Sequence, residues 1–269
     1  PGVAAISSTS WNGLIAKFNT TGVHQWSTFV GGSGGEEIHD MDFSGNDVFC
    51  VGKATSSNLA CKHKNGASTD SVFGGIPGSG TGWDGFIFQF TFNSNNLIQK
   101  KWLSYFGGNN HDELNGIKFD GSGNMFVVGM SASTDFPPIG GAGTYTQAFN
   151  SAQLAQGGQY IQGDGLIARF NAGTSFNSWR TFYGTDALGA NAYSITPDVL
   201  YGLAIKGGDL YVCGKAGGSN LPNSVNSKIV NGNFDGILAH FTTGGSPGLA
   251  KYTDGNTINY AVKVMGDSV

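Results

Sequence analysis

The stretch Gly31–Gly35 has the outline of a nucleophile elbow, the turn that presents a catalytic serine. Its sequence, GGSGG, matches the spacing G-x-S-x-G with Ser33 in the middle. An elbow requires a strand before the serine and a helix after it. Strand-like residues follow Ser33 instead, and a second copy of the surrounding sequence has Asn109 at the same place. We therefore interpret this stretch as a glycine-rich loop between two strands.

Acidic residues recur where a polar loop meets an apolar stretch. Paired carboxylates hydrolyse glycosidic bonds in many enzymes and also bind calcium. These residues recur at matching places in separate copies of one pattern, however, which favours a structural role such as accepting hydrogen bonds from loop N–H groups. A catalytic site would instead require four carboxylates to converge on one pocket with shifted pKa values. Those four are Asp40, Asp42, Asp112 and Glu113, and the recurring set is Glu36, Glu37, Asp112, Glu113 and Asp198.

Other signals for phosphate, metal or disulfide chemistry are weak. The glycine-rich segment 78–85 lacks the lysine and the following helix of a phosphate-binding loop. The two histidines near the acidic residues, His39 and His111, do not occupy matching positions of the copies, so we predict no metal site. We also predict no cofactor. Cys50 and Cys61 are either thiols or a disulfide that ties down a loop, and the disulfide would leave Cys213 unpaired.

The composition narrows the function classes. Charged residues make up only 12% of the 269 residues, the net charge is −4 and 45 residues are glycine. Because no Lys/Arg cluster is present to neutralise phosphates, we expect no nucleic-acid partner. No apolar run approaches the roughly 18 residues of a membrane helix, so we expect no membrane span. The surface poor in Lys and Glu favours a secreted or cell-surface protein.

One octapeptide occurs four times, about 70–80 residues apart: WNGLIAKF at 11–18, WDGFIFQF at 83–90, GDGLIARF at 163–170 and FDGILAHF at 234–241. Internal similarity at such a period is typical of repeat architectures. We predict one domain over 1–269, and structural roles for Asp84, Asp164 and Asp235, the acidic residues of the octapeptide. The predicted repeat units are 12–83, 84–163, 164–234, and 235–269 together with 1–11.

Each repeat contains four strand-like segments, which we name A to D. In the second copy, segment A is ELNGIKF and segment B is MFVVGMS, and a glycine-rich turn joins them. Segment C has a sequence like DGFIFQF, and segment D has one like KKWLSYF. Strand D carries a tryptophan that we expect to be mostly buried, at Trp26, Trp102 and Trp179, with Leu249 in the fourth copy.

The apolar pattern predicts how these strands are arranged. Segment C is apolar at successive positions, which indicates burial on both faces. Small antiparallel sheets that stack face to face in a ring provide such burial, as in a β-propeller. The sequence therefore predicts an all-β propeller of about four four-stranded antiparallel blades, either a closed ring or part of a larger propeller. In a closed ring a final A strand near 261–264 would join a first B strand near 3–6.

The repeats resemble the SBBP-type beta-propeller repeat of bacterial secreted and surface proteins. The resemblance is carried by NGLIAKFNTTGVHQWSTFVGGSGGEEIHDMDF at 12–43 and by NGIKFDGSGNMFVVGMSASTDFPP at 115–138, and it covers almost the whole chain. It departs from the family pattern in the fourth repeat and in the reduced segment ATSSNLA of the first. The resemblance implies a propeller fold outside the cell, and it implies no catalytic residues.

Long insertions between strands B and C are the predicted binding region. They span about 54–83, 131–163 and 216–234, and loops on a rigid scaffold often carry binding residues. Aromatic side chains there suit sugar rings or protein side chains, although they could also fill small cores beneath the loops. The candidate binding residues are Trp83, Tyr145, Phe149, Tyr160 and Tyr193.

Three functions are consistent with these features. The first is a non-catalytic extracellular or cell-surface module for binding, adhesion or assembly, whose protein or carbohydrate ligand contacts the insertion-loop face. The second is a polysaccharide-active enzyme that uses acidic residues near the ring axis. The third is a structural subunit of a surface filament or secretion-associated complex, which a large exposed apolar patch would favour.

Overall fold

The computed structural model describes residues 10–65, 67–68, 70–74, 82–93, 97–140, 147, 163–173, 175, 177–185, 197–217, 235–243 and 247–252. These residues form fourteen β-strands and no helix, so the expected all-β class is confirmed. The strands are β1 (Gly13–Phe18), β2 (His24–Val30), β3 (Glu36–Ser44), β4 (Asp47–Ala54), β5 (Asp84–Phe92), β6 (Ile98–Phe106), β7 (Asp112–Phe119), β8 (Met125–Ser131), β9 (Asp164–Phe170), β10 (Asn177–Tyr183), β11 (Val199–Lys206), β12 (Asp209–Ala216), β13 (Asp235–Thr242) and β14 (Pro247–Tyr252).

The strands pair in chain order into three four-stranded sheets and one two-stranded sheet, all antiparallel. Sheet 1 is β3–β6, sheet 2 is β7–β10, sheet 3 is β11–β14, and the partial sheet is β1–β2. Within each full sheet the order is A, B, C, D, as the sequence predicts. Each sheet therefore takes A and B from one repeat unit and C and D from the next.

Tight turns join strands A and B in all three full sheets. Gly45, Gly123 and Gly207 have φ angles of 60°, 81° and 63°, which lie in the left-handed region. A glycine adopts this conformation without the steric cost that a Cβ atom would bring. The glycine-rich turns predicted at these places are thus present.

The C strands of sheets 1 and 2, β5 and β9, are buried on both faces. In β5 the side chains of Phe86, Ile87 and Phe88 are fully buried although they alternate in direction. One apolar cluster joins sheets 1 and 2 and another joins sheets 2 and 3. A third cluster covers the other face of β5, so β5 and β9 each pack between two neighbouring sheets.

The A strands of the three full sheets contain a β-bulge at the same place. The register shifts at His39 in β3, at Asn115 in β7 and at Tyr201 in β11. A bulge adds one residue to a strand and redirects its side chain. The repeats therefore share this irregularity as well as the regular strands.

The partial sheet leaves large apolar side chains uncovered. Leu14, Phe18 and Phe29 are 56%, 57% and 43% exposed. Their counterparts in sheet 1 are Phe86, Phe90 and Tyr105, which are all buried. β1 and β2 correspond to strands C and D, and no A or B strand accompanies them among the described residues. The predicted junction of 3–6 with 261–264 lies outside those residues.

The cysteines are free thiols, so the disulfide alternative for Cys50 and Cys61 is wrong. Cys50 is fully buried in β4. Burial, with a smaller contribution from the Asp40 charge, raises the pKa of its thiol to about 12. This cysteine thus packs as a small apolar residue.

In the part of the chain that the structure describes, no helix has the length and apolar character to cross a membrane.

Candidate functional site

The recurring carboxylates at the start of the A strands hold the loops that lead from one sheet to the next. Glu36 accepts a hydrogen bond from Gly32 N–H at 2.9 Å, and Asp112 accepts one from Gly108 N–H at 2.8 Å. A third carboxylate, Asp198, lies at the equivalent place. It accepts a hydrogen bond from Thr185 N–H, in the loop from sheet 2 to sheet 3, at 2.6 Å. All three are buried. They stabilise loop backbone that would otherwise lose its hydrogen bonds to water.

Burial makes these carboxylates hard to ionise. Burial raises the pKa of Asp112 to about 7, although hydrogen bonds from Gly108 and Ser133 oppose the effect. It likewise raises the pKa of Asp198 to about 6. The pKa of Glu36 is also raised, again by burial. A raised pKa in a buried carboxyl group can indicate catalysis, but here it accompanies a repeated loop contact.

Two of the octapeptide aspartates, Asp84 and Asp164, are also buried. Asp84 accepts a hydrogen bond from Gly74 N–H at 2.5 Å. Asp164 lies beside Gly184, where a Cβ atom would come within 3.1 Å of its carboxylate and 2.4 Å of the Asp198 carboxylate. That close approach requires glycine at position 184. The side chain of Asp235 lies outside the described residues.

The A strands of sheets 1 and 2 are linked through polar side chains of β3. Asp40 and Asp42 each accept a backbone N–H from β7, at Ile117 and Phe119, over 3.0 Å. His39 Nδ1 lies 2.9 Å from Leu114 O. These contacts assign the two aspartates to the contact between sheets.

The contact between sheets 2 and 3 repeats one of these links. The bulge residue Asn115 donates through Nδ2 to Leu200 O over 3.1 Å. Leu200 in sheet 3 corresponds to Leu114 in sheet 2, and Asn115 corresponds to His39. The bulge therefore presents the same cross-link at successive A strands.

Glu113 is the fourth of the carboxylates that a catalytic site would bring together. It lies 3.8 Å from Lys53 Nζ, and it accepts a hydrogen bond from Asn115 Nδ2 at 3.0 Å. Asp112 accepts a hydrogen bond from a loop instead, and Asp40 and Asp42 accept hydrogen bonds from β7. Each of these groups therefore has its own hydrogen-bonding or ion-pair partners.

Trp83, a candidate binding residue, is half-buried between sheets 1 and 2. Its ring centroid lies 4.0 Å from that of His111, and Lys53 Nζ lies 5.1 Å from it. Packing against these two side chains occupies part of the ring surface that a ligand would need. The other candidates, Tyr145, Phe149, Tyr160 and Tyr193, lie outside the described residues.

The D-strand tryptophans differ in burial. Trp102 and Trp179 are buried, whereas Trp26 in the partial sheet is half-buried. Trp102 packs on Phe170 of the next sheet and Trp179 on Phe241 of the sheet after that, each with 6.0 Å between ring centroids. Each buried tryptophan thus bridges a D strand and the C strand of its neighbour.

Two B–C insertions run along the D-strand edges of sheets 1 and 2. In the first, Lys62 and Asp70 form isolated bridges with Leu103 and Tyr105 of β6. In the second, Ile139 forms a bridge with Arg180 of β10. Exposed edge strands invite pairing with other chains, and a covering loop prevents it. The described parts of these insertions therefore have a structural task.

A cleft of about 230 Å³ lies between β6 of sheet 1 and β10 of sheet 2, next to both insertions. Its polar lining comes from β6, β10 and the first insertion, and its apolar lining is mostly aromatic. Its lining residues include Ser68, Asp70, Ser104, Phe106, Phe136, Asn177 and Arg180.

Arg180 is the unusual member of this lining, because its side chain is only 8% exposed. Nε and Nη2 donate to Pro137 O at 3.0 and 2.7 Å, and the guanidinium lies 3.5 Å from the centre of the Phe136 ring. No carboxylate of the described residues forms an ion pair with it. Burial lowers its pKa to about 10, against the opposite effect of the Asp112 charge.

The sequence held a signal for Arg180 that the search for catalytic motifs missed. Strand pairing places Arg180 opposite Ala168, and the equivalent pairs are Ser27 with Ala16, Leu103 with Phe88, and Ala250 with Ala239. Only one of the four copies has a charged residue at this position. A departure from the repeat marks a residue that the shared architecture does not require.

The chain matches no protein-family model and no curated protein sequence at a significant level.

Proposed function

We propose that the chain is a secreted or cell-surface β-propeller with a non-catalytic role in binding or assembly. The three full sheets support the propeller because each repeats the A-to-D order, the A-strand bulge and the buried loop carboxylate. The bulge cross-link occurs at equivalent positions between successive A strands. A constant step from sheet to sheet is what a ring of blades requires.

The observation that carries the closed ring is the incomplete partial sheet. Leu14, Phe18 and Phe29 are exposed there, whereas equivalent side chains are buried in sheet 1. Chain ends that supply a B strand and an A strand would complete a fourth blade and cover these side chains. Burying apolar surface stabilises such a closure by about 25 cal/mol per Å².

Small-angle X-ray scattering tests the closed ring. A compact chain of this length should have a radius of gyration of about 18 Å. An open stack of the same sheets would be longer in one direction and would give a larger value. Removing residues 1–9 should raise the exposure of the partial sheet, which increased binding of a fluorescent apolar dye would report. A scattering profile typical of an elongated particle would contradict closure.

The binding face of this module carries the insertions. The A–B turns on the opposite face are short and glycine-rich, so they offer few side chains for recognition. The insertions are long and differ from one another, and long loops in compact domains often have functions. The described loop carboxylates and A-strand aspartates have structural contacts, which supports binding rather than catalysis as the role.

Shortening the second insertion should abolish ligand binding without unfolding the protein. Ile139 and Gln147 must be kept, because they hydrogen-bond to β10 at Arg180 and Phe182. The variant therefore replaces only residues 148–160 with a Gly-Ser link. Binding is measured on an array of purified polysaccharides and extracellular proteins, and the melting temperature reports folding.

The matched control for this shortening is Ser122→Arg in an exposed A–B turn. This change alters the opposite face, so we expect it to leave binding intact. Loss of binding in the turn variant, together with normal binding by the shortened one, would place the binding surface on the other face. Turnover of an arrayed polysaccharide by the wild type would favour the enzyme alternative.

A further inference from the structure

We propose that the cleft between β6 and β10 binds a small monocarboxylate that carries a hydroxyl or ammonium group next to the carboxylate. The site goes beyond the binding role proposed for the insertion-loop face. It is formed by described residues of two sheets and of the first and second insertions.

The first argument is the singularity of Arg180. The loop carboxylates and the A-strand bulges, which the fold needs, recur in all three full sheets. At the Arg180 position the other copies have serine, leucine and alanine. Sheet 1 buries Leu103 at this place, so a D strand packs well there without a charge. The guanidinium therefore has a use other than holding the sheet.

The second argument is the missing counter-ion. A cation that is taken out of water loses hydration energy unless an anion and hydrogen bonds replace it. Arg180 has one carbonyl acceptor, Pro137 O, and two aromatic neighbours, Phe106 and Phe136. Its Nη1 group forms no hydrogen bond with a described residue. A carboxylate in the cleft supplies the acceptor and the negative charge together.

The third argument concerns the charge of the ligand. Arg180 is the only cationic residue in the cleft lining, and Asp70 lines the same cleft. A carboxylate adds one negative charge opposite Arg180, whereas a phosphate dianion adds two and is repelled more strongly by Asp70. The chemistry of the lining therefore selects a monocarboxylate over a phosphate.

The fourth argument is the acceptor beside Arg180. Asn177 is 2% exposed, and its Oδ1 atom has no hydrogen-bond partner. Its Nδ2 group donates to Arg169 O and Trp179 O, both at 3.1 Å, which fixes the orientation of the amide. A buried acceptor without a donor is costly. A hydroxyl or ammonium group of the ligand provides that donor.

The size and the walls of the cleft limit the rest of the ligand. About 230 Å³ accommodates one sugar ring or one amino acid, and it is below the usual range for drug-sized ligands. Phe106 and Phe136 form an apolar wall, with their ring centroids 5.0 Å apart. Sugar acids and α-amino acids both have the required carboxylate and neighbouring donor, and the experiment separates them.

Isothermal titration calorimetry on the intact chain tests the site with sodium gluconate, which carries a hydroxyl next to its carboxylate, and L-leucine. We expect one of these two probes to bind, and glucose and inorganic phosphate to bind at least about tenfold more weakly, because they lack the single carboxylate. Preference for gluconate identifies a sugar acid, and preference for leucine identifies an amino acid. If the wild-type protein binds neither, the proposal is wrong.

The decisive variant is Arg180→Leu, which introduces the residue that sheet 1 has at this position. It removes the two hydrogen bonds to Pro137 O, so the melting temperature should fall while the protein stays folded. The affinity for the bound probe should decrease at least about tenfold. Lys206→Ala, which removes an exposed lysine, is the charge control and should bind normally. Unchanged affinity in the Arg180 variant would refute the site.

Nuclear magnetic resonance on the wild type gives a test that does not depend on a variant. Adding the bound probe should shift the amide signals of 104–107 and 177–180 more than those of sheet 3. Shifts confined to other residues would overturn the assignment. Loss of array binding by the shortened insertion, with calorimetric binding retained, would separate this site from the insertion-loop function.

Discussion

Replacing Trp102 or Trp179 with alanine should lower the free energy of unfolding by about 3–5 kcal/mol, the range found for large buried aromatic residues. Both side chains are almost fully buried between neighbouring sheets. Each removes a wide contact surface from the C strand of the next sheet, at Phe170 and Phe241. The rigid strands around the gap cannot collapse fully into it, so a cavity cost adds to the lost burial.

Trp26→Ala is the internal control for this prediction. Trp26 occupies the same position of strand D but is half-buried, and it packs on Phe92 with 5.0 Å between ring centroids. Its replacement should therefore cost clearly less. Urea denaturation followed by circular dichroism measures all three variants. Equal losses for the three tryptophans would show that sheet-to-sheet packing is uniform and that the burial difference has no energetic weight.

Stability should decrease as the pH is raised from about 4 to 7. Asp112 and Asp198 have pKa values near 7 and 6 in the folded protein, against 3.8 for an unperturbed aspartate. Below 3.8 both the folded and the unfolded chain are protonated at these sites. Between 3.8 and the folded value, the unfolded chain has released the proton and the folded chain has kept it. Each group then reduces stability by ~1.4 kcal/mol per pH unit.

Asp112→Asn isolates the contribution of one carboxyl group to this profile. The amide oxygen can still accept from Gly108 N–H, so the loop contact survives, but the side chain no longer titrates. We expect a flatter dependence of the unfolding midpoint on pH up to about 7, and an advantage over the wild type above it. The exposed Glu37→Gln is the control and should leave the slope unchanged. A profile of Asp112→Asn that parallels the wild type would contradict the assignment.

The elements that the sequence predicted well are those with local determinants. Strand order A to D follows from apolar runs separated by glycine turns, and Gly45, Gly123 and Gly207 adopt the positive φ that those turns need. The structural role of Glu36, Asp112 and Asp198 followed from their recurrence. The strand order and the role of these carboxylates both depend on short sequence segments that recur along the chain.

The cleft could not be predicted because it depends on distant segments. Ser68 accepts a hydrogen bond from Asn177 N–H, 109 positions away in the chain. Ile139 pairs with Arg180 across 41 positions. No periodicity indicates that two insertions fold back onto outer strands, since their sequences differ. Arg180 was visible only as a departure from the repeat, and its burial beside Phe136 required the arrangement of three segments.

The repeat unit and the sheet are out of phase, and this offset has an evolutionary consequence. Unit 84–163 contains β5 and β6, which close sheet 1, and β7 and β8, which open sheet 2. If gene duplication copied the predicted unit, the copied segment would differ from the segment that folds as a sheet. A new copy inserted at a unit boundary completes the half-sheet before it and opens one for its successor, so whole units can be gained without leaving a half unmatched inside the array. A single copy released from the array would be two half-sheets without partners, which ties the survival of each copy to that of its neighbours.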